Sequence, residues 1–109
     1  MKWIKVFPKE MMMSGDFMKK VDAGGKNVLF VKTGQQLFAL QVKCPHAGAD
    51  LSQGWCSNGH IICPYHRHEF DLNTGRGKEG QGNYINTYPL EIRDDGIWLG
   101  LKPAWWKFW

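Results

Sequence analysis

Cys44-Pro45-His46 and Cys63-Pro64-Tyr65-His66 are the residues of this chain best equipped for chemistry. Together they read C-x-H, then sixteen residues, then C-x-x-H. Each half offers one thiolate and one imidazole, and each holds a proline that stiffens the backbone. Soft thiolates select zinc, copper(I) or iron–sulfur clusters, and imidazole suits zinc, copper and iron. Structural zinc sites of the two-Cys, two-His kind usually pair Cys with Cys and His with His. Here the two types interleave, and a single residue separates Cys44 from His46. That gap makes it hard for both side chains to reach one tetrahedral ion. It suits two adjacent metal ions, with each segment giving its Cys to one and its His to the other. Such an arrangement describes an asymmetric [2Fe–2S] cluster, with two thiolates on one iron and two imidazoles on the other. A structural zinc module that binds a protein or a nucleic acid stands as the alternative.

The elements that must position these groups read as β-strands. Ile4–Phe7 forms a first strand closed by Pro8, and Phe17–Val21 a weaker second. Asn27–Lys32 and Leu37–Val42 flank Thr33-Gly34-Gln35-Gln36, a hairpin signal. Asn86–Arg93 and Ile97–Leu101 flank Asp94-Asp95-Gly96, whose Asp-Gly pair supplies the positive φ of a tight turn. Only Pro8–Met13 suits a short helical turn. Residues 43–83 differ from the rest. They hold seven glycines, all three cysteines and all four histidines, with short strand signals only at Ile61–Cys63 and Glu69–Leu72. A Gly-rich segment this long has little apolar material to order it, and inside a compact domain such a loop is usually functional. A metal would hold it.

A chain of 109 residues, 43% hydrophobic and 22% charged, fits one globular domain and excludes disorder. Its longest apolar runs, such as Val28-Leu29-Phe30-Val31, are four residues long, so a membrane span of about 20 is absent. The first eight residues lack an apolar stretch of signal-peptide length, about 7–15 residues. That absence and an odd cysteine count argue against a disulfide framework and for the cytoplasm. The net charge is +4, with eight lysines and three acids in residues 1–43. This basic excess favours an acidic partner surface or is a solvated face. No dense Lys/Arg stripe interleaves with aromatics, so nucleic acid is not expected as a partner.

Residues 43–76 resemble the cluster-binding segment of Rieske-type ferredoxins: Cys-Pro-His-Ala-Gly from Cys44, Leu51-Ser52-Gln53-Gly54, Cys-Pro-Tyr-His from Cys63, and Phe70-Asp71-Leu72-Asn73-Thr74-Gly75-Arg76. Gly34–Leu40 and Tyr88–Ile92 are similar to the flanking strands, and the likeness extends over residues 26–101. The resemblance implies an all-β fold: one domain, residues 1–109, a small β-sandwich with an inserted two-loop cluster-binding subdomain near residues 43–83. It implies one [2Fe–2S] cluster per chain, with Cys44 and Cys63 on the buried iron and His46 and His66 on the outer one. Gly48 would let the loop backbone approach the sulfides. Three departures stand out. Ala49 and Tyr65 occupy positions where high-potential relatives carry a bridging disulfide. His68 and Phe70 replace their Ser and Tyr hydroxyls. Arg67-His68 replaces the Gly-Trp frequent in low-potential, oxygenase-associated members. The missing disulfide and Phe70 imply a potential at the lower end of the Rieske range of about −150 to +300 mV.

The function implied is a carrier that moves one electron between a reductase and a terminal oxygenase or other oxidoreductase. The alternative is a redox subunit, since the resemblance extends to the Rieske-like small subunit of cytoplasmic nitrite reductases. Catalysis by the chain alone is not expected. A Rieske oxygenase also needs a mononuclear iron held by two His and a carboxylate, and only His60 and His68 remain for that. Cys56 reads as a spare thiol, His68 as a surface residue beside the second loop, and Met11-Met12-Met13 as irregular packing. The aromatic tail Trp105–Trp109 either packs back on the sandwich or serves self- or partner association.

Overall fold

The computed structural model describes residues 2–45, 48–64, 67–78 and 84–101. In chain order the strands are β1 (Lys2–Phe7), β2 (Phe17–Ala23), β3 (Lys26–Thr33), β4 (Gln36–Gln41), β5 (Trp55–Ser57), β6 (His60–Ile62), β7 (Glu69–Asp71), β8 (Thr87–Tyr88), β9 (Leu90–Arg93) and β10 (Gly96–Leu101). They form three antiparallel sheets, ordered β1-β10-β9, β2-β3-β4-β8 and β5-β6-β7. The fold is all-β. Its helical content among the described residues is two short 3₁₀ turns, Lys9–Met13 and Leu51–Gln53.

The unbroken apolar run Val28-Leu29-Phe30-Val31 has a physical cause. Strand side chains alternate between faces, and β3 is covered on both. Val28 and Phe30 enter a core shared with Phe7, Ala23, Ala39, Ile97 and Leu99. Leu29 and Val31 enter a second core shared with Leu40, Leu51, Ile61, Phe70, Leu72, Ile85, Cys44 and Cys63. The four-stranded sheet is thus a middle layer. The sheet of β1, β10 and β9 covers one face, and the β5–β7 segment covers the other. In the first core Phe30 meets Phe7 edge to face at 4.8 Å between ring centroids. Burying such a side chain is worth about 1.5–3 kcal/mol.

Three expectations from the sequence need correction. Asn86–Arg93 is not one strand. Thr87–Tyr88 pairs with β4, whereas Leu90–Arg93 pairs with β10 in another sheet. Pro89 stands at the switch, where it has no N–H to give to a ladder; its carbonyl accepts from the Gly100 N–H at 3.0 Å. The turn before β10 consists of Asp94 and Asp95, since Arg93 pairs with Gly96. Gly96 itself opens β10 at φ +150°, and a Cβ there would stand 2.7 Å from the Phe7 carbonyl oxygen. Glycine is required by that close approach rather than by the turn. Finally, β5 was not expected at all, and it completes the sheet beneath the second cysteine segment.

Candidate metal centre

The two cysteine segments are loops with a common frame. Lys43 pairs with Asp50 across an antiparallel bridge, and residues 44–49 lie between them. Ile62 pairs with Glu69 across β6 and β7, and residues 63–68 lie between them. The loops therefore have equal length. The first is closed by the Cys44 N–H donating to the Ala49 carbonyl at 2.7 Å, the second by the Cys63 N–H donating to the His68 carbonyl at 2.8 Å. The penultimate residue of each is left-handed: Gly48 at φ +67° and Arg67 at φ +53°.

Both loops begin on a thiol sealed from solvent. Cys44 is 1% exposed and Cys63 0%, and both belong to the core that contains Leu51, Ile61 and Phe70. None of the three cysteines is in a disulfide. The loops are also tied to one another. Gly54, at the end of Leu51-Ser52-Gln53-Gly54, faces the Ile62 carbonyl and the Pro64 ring so closely that a Cβ would collide with that carbonyl. The first loop's exit thus rests on the second loop's entry.

The remaining motif residues build this frame. The Asp50 carboxylate accepts from the Ser52 N–H at 2.8 Å, capping the 3₁₀ turn, and pairs with the Lys20 ammonium at 2.6 Å. Burial raises the Asp50 pKa, but the hydrogen bonds from Lys20 and Ser52 outweigh it and hold the carboxyl below its usual value. After the second loop, Phe70 and Leu72 enter the core. Between them the Asp71 carboxylate accepts from the Asn73 and Thr74 N–H groups at 2.7 and 3.0 Å, fixing the turn.

Of the four expected ligands, the structure brings Cys44 and Cys63 into one core at equivalent loop positions. His46 and His66 lie outside the described residues, as do Tyr65 and the tail Trp105–Trp109. Two buried thiols from neighbouring loops suit the thiolate half of an asymmetric iron–sulfur donor set. Cys56 is half-buried with its Sγ 3.6 Å from the Met18 Sδ. Burial, with the Asp16 charge adding, pushes its thiol pKa up, so it is a poor thiolate donor. The His60 ring nitrogen Nδ1 lies 3.0 Å from the Asn58 carbonyl within the β5–β6 turn, and His68 is half-buried rather than a plain surface residue. Met11 and Met12 pack against the first core while Met13 is exposed. Two features were not singled out from the sequence. One is the left-handed backbone of Arg67. The other is Trp55, 45% exposed on β5 directly across from Ile62; the Asn58-Gly59 pair after β5 was the available signal for that hairpin.

Comparison with known proteins agrees with this geometry. Residues 2–89 match the Rieske [2Fe-2S] domain. The anthranilate 1,2-dioxygenase ferredoxin subunit of Burkholderia cepacia is 34% identical over 76 residues, covering 69% of this chain and 70% of that one. The naphthalene 1,2-dioxygenase system ferredoxin component of Pseudomonas putida is 28% identical over 102 residues, covering 93% and 97%. Among solved structures, the ferredoxin of carbazole 1,9a-dioxygenase from Nocardioides aromaticivorans IC177 superposes with a TM-score of 0.78 at 23% identity, covering 94% of this chain and 100% of that one. Other curated relatives are much longer, and the chain spans 13% to 25% of their length. The chain belongs to the Rieske [2Fe-2S] domain family, and its cofactor is the [2Fe–2S] cluster of that family.

Proposed function

We propose that the chain is a one-electron carrier between a reductase and a terminal oxygenase. We assign Cys44 and Cys63 to one iron and His46 and His66 to the other. The observation that carries this reading is the pair of buried thiols, each opening one of two equal loops. Support comes from the full-length likeness to a ferredoxin component of a dioxygenase system. The cluster supplies the electron exchange; the chain's residues supply its setting. Leu51, Ile61 and Phe70 exclude water from the cysteine side, and the closed loop backbones hold the two thiols in place. Phe70 is fully buried and offers no hydroxyl, which supports a potential near the lower end of the Rieske range.

Membership of a [2Fe–2S] family sets aside the zinc module. The nitrite reductase subunit gains no support from relatives that are components of oxygenase systems. Among the described residues no helix is long and apolar enough to cross a membrane. We assign the cytoplasm as the compartment, supported by three cysteines outside any disulfide. The test is anaerobic reductive titration of the purified protein with parallel iron and sulfide analysis. Two irons, two acid-labile sulfides and uptake of one electron per chain are expected. One zinc without sulfide, or a cluster that takes up no electron, overturns the reading.

A further inference from the structure

The two loops are bordered by cations that enter no ion pair among the described residues. Lys43 immediately precedes Cys44, and Arg67 immediately follows His66. Each is therefore one peptide unit, about 3.8 Å between Cα atoms, from a residue we assign to the cluster. Both are exposed, and neither enters an ion pair among the described residues. The acids at the loop bases are different. Asp50 is matched by Lys20 at 2.6 Å, and Glu69 by Lys78 at 3.4 Å. The Asp71 carboxylate is occupied by the amides of its own turn. The acidic charge around the loop bases is thus largely spent within the molecule, whereas Lys43 and Arg67 have no such partner among the described residues.

Arg67 adds an independent argument. Its backbone is left-handed at the position where the first loop uses glycine, a conformation that costs an L-residue energy and glycine almost none. No hydrogen bond or ring contact of its guanidinium is found among the described residues. An unfavourable backbone held at an exposed position, with no bond of the side chain among the described residues, points to a use for that side chain.

We propose that Lys43 and Arg67 form a cationic collar that docks on an acidic protein surface surrounding the redox partner's own electron-exchange site. This rests on the electron-carrier reading. Charges within a Debye length of the encounter surface, about 8 Å at physiological ionic strength, steer association most strongly. Complementary patches raise on-rates by about 10- to 1,000-fold at low salt. The net charge of +4 is an insufficient cause, because most of the lysines behind it lie elsewhere, within residues 2–32.

The experiment needs no identified partner. The protein is reduced, and its oxidation is followed by stopped flow with two reagents of opposite charge, trianionic hexacyanoferrate(III) and tricationic tris(phenanthroline)cobalt(III). Each reagent accepts the single electron and is itself reduced to the iron(II) or cobalt(II) complex. The wild type is expected to react faster with the anion at low salt, its rate falling as salt is added, while the rate with the cation rises. Lys43→Glu with Arg67→Glu should reverse both slopes, with about a 10-fold loss for the anion at low ionic strength. Lys9→Glu, on the distant 3₁₀ turn, changes net charge and should leave both slopes in sign and near their size. Arg67→Lys should retain the wild-type slopes, and the visible spectrum shows that each variant keeps its cluster. Equal effects of Lys9→Glu and the loop reversals, or slopes indifferent to Lys43 and Arg67, overturn the collar while leaving the carrier intact. A protein that neither reagent oxidises overturns both.

Discussion

The loop between Lys43 and Asp50 and the loop between Ile62 and Glu69 share length, closing hydrogen bond and a left-handed penultimate residue. They are supported differently. The second caps two paired strands of a three-stranded sheet. The first hangs on a single isolated bridge, reinforced by the Leu51 N–H donating to the Val42 carbonyl and by a 3₁₀ turn that Asp50 caps. They also diverge at the penultimate position, with glycine in one and arginine in the other at similar left-handed backbone angles. Closure and burial thus fix where each thiol sits. The support beneath the loop, and the side chains on its rim, are free to serve other ends.

The largest effect tests whether the loops are equivalent in what they hold. Cys44→Ser and Cys63→Ser should each abolish the visible spectrum and bring iron per chain close to zero. Because metal binding and folding are coupled in small domains, the thermal transition should also fall or broaden. Cys56→Ser should keep spectrum and iron content, since that thiol packs against Met18 with a raised pKa. Iron loss in the Cys56 variant, or retention in either of the others, would reassign the ligands.

The sequence revealed the thiols' equivalence but not its origin. Interleaved Cys and His types identified the cluster because donor chemistry and spacing are local properties. The strands β1 to β4 were also readable, because their apolar stretches are bounded by local signals such as Pro8 and Thr33-Gly34-Gln35-Gln36. What stayed hidden was set by distant contacts. Pro89 divides a run of strand-like residues between two sheets, and which sheet each half joins depends on β4 and β10. Gly54 could be read only as one member of the Leu51-Ser52-Gln53-Gly54 motif, and its role appears only when the Ile62 carbonyl is seen against it. The left-handed state of Arg67 has no composition signal at all, because arginine is an unusual residue for that conformation.

A middle-sized effect sharpens the contrast at the penultimate positions. Gly48→Ala adds a Cβ that meets no atom of the described residues within 4 Å, so its cost is conformational, about 1–2 kcal/mol. Arg67→Gly should act in the opposite direction and stabilise by up to about 1 kcal/mol, since the strain is relieved and no observed bond is lost. Denaturant titration of the two holo variants should show midpoints on opposite sides of the wild type. A destabilised Arg67→Gly would show that the guanidinium supports the fold, which weakens the case for its service at an interface.

The smallest effect probes the first loop's lone bridge. Asp50 ionises more readily in the folded protein than in the unfolded chain, because the hydrogen bonds from Lys20 and Ser52 overcome the burial that opposes its charge. A carboxyl with a lowered folded pKa stabilises fully above its unfolded value of about 3.9. That contribution drains away as pH falls through the lower folded value. Asp50→Asn keeps an oxygen able to cap the 3₁₀ turn but gives up the charge facing Lys20, so its cost at neutral pH should be only about 0.2–1 kcal/mol, as for other partly exposed pairs. Asp50→Ala removes the cap as well and should lose a further 0.5–2 kcal/mol or so, about the worth of an N-cap. The pH profile separates the two losses. The gap between wild type and Asp50→Asn should close below about pH 4, whereas the gap between Asp50→Asn and Asp50→Ala should persist, because the amide cap does not titrate. Denaturant midpoints of the three proteins from pH 7 to the acid limit of the cluster would show this. If the wild type and Asp50→Asn ran parallel across the whole range, the bridge under the first loop would owe nothing to charge, and backbone closure alone would hold it.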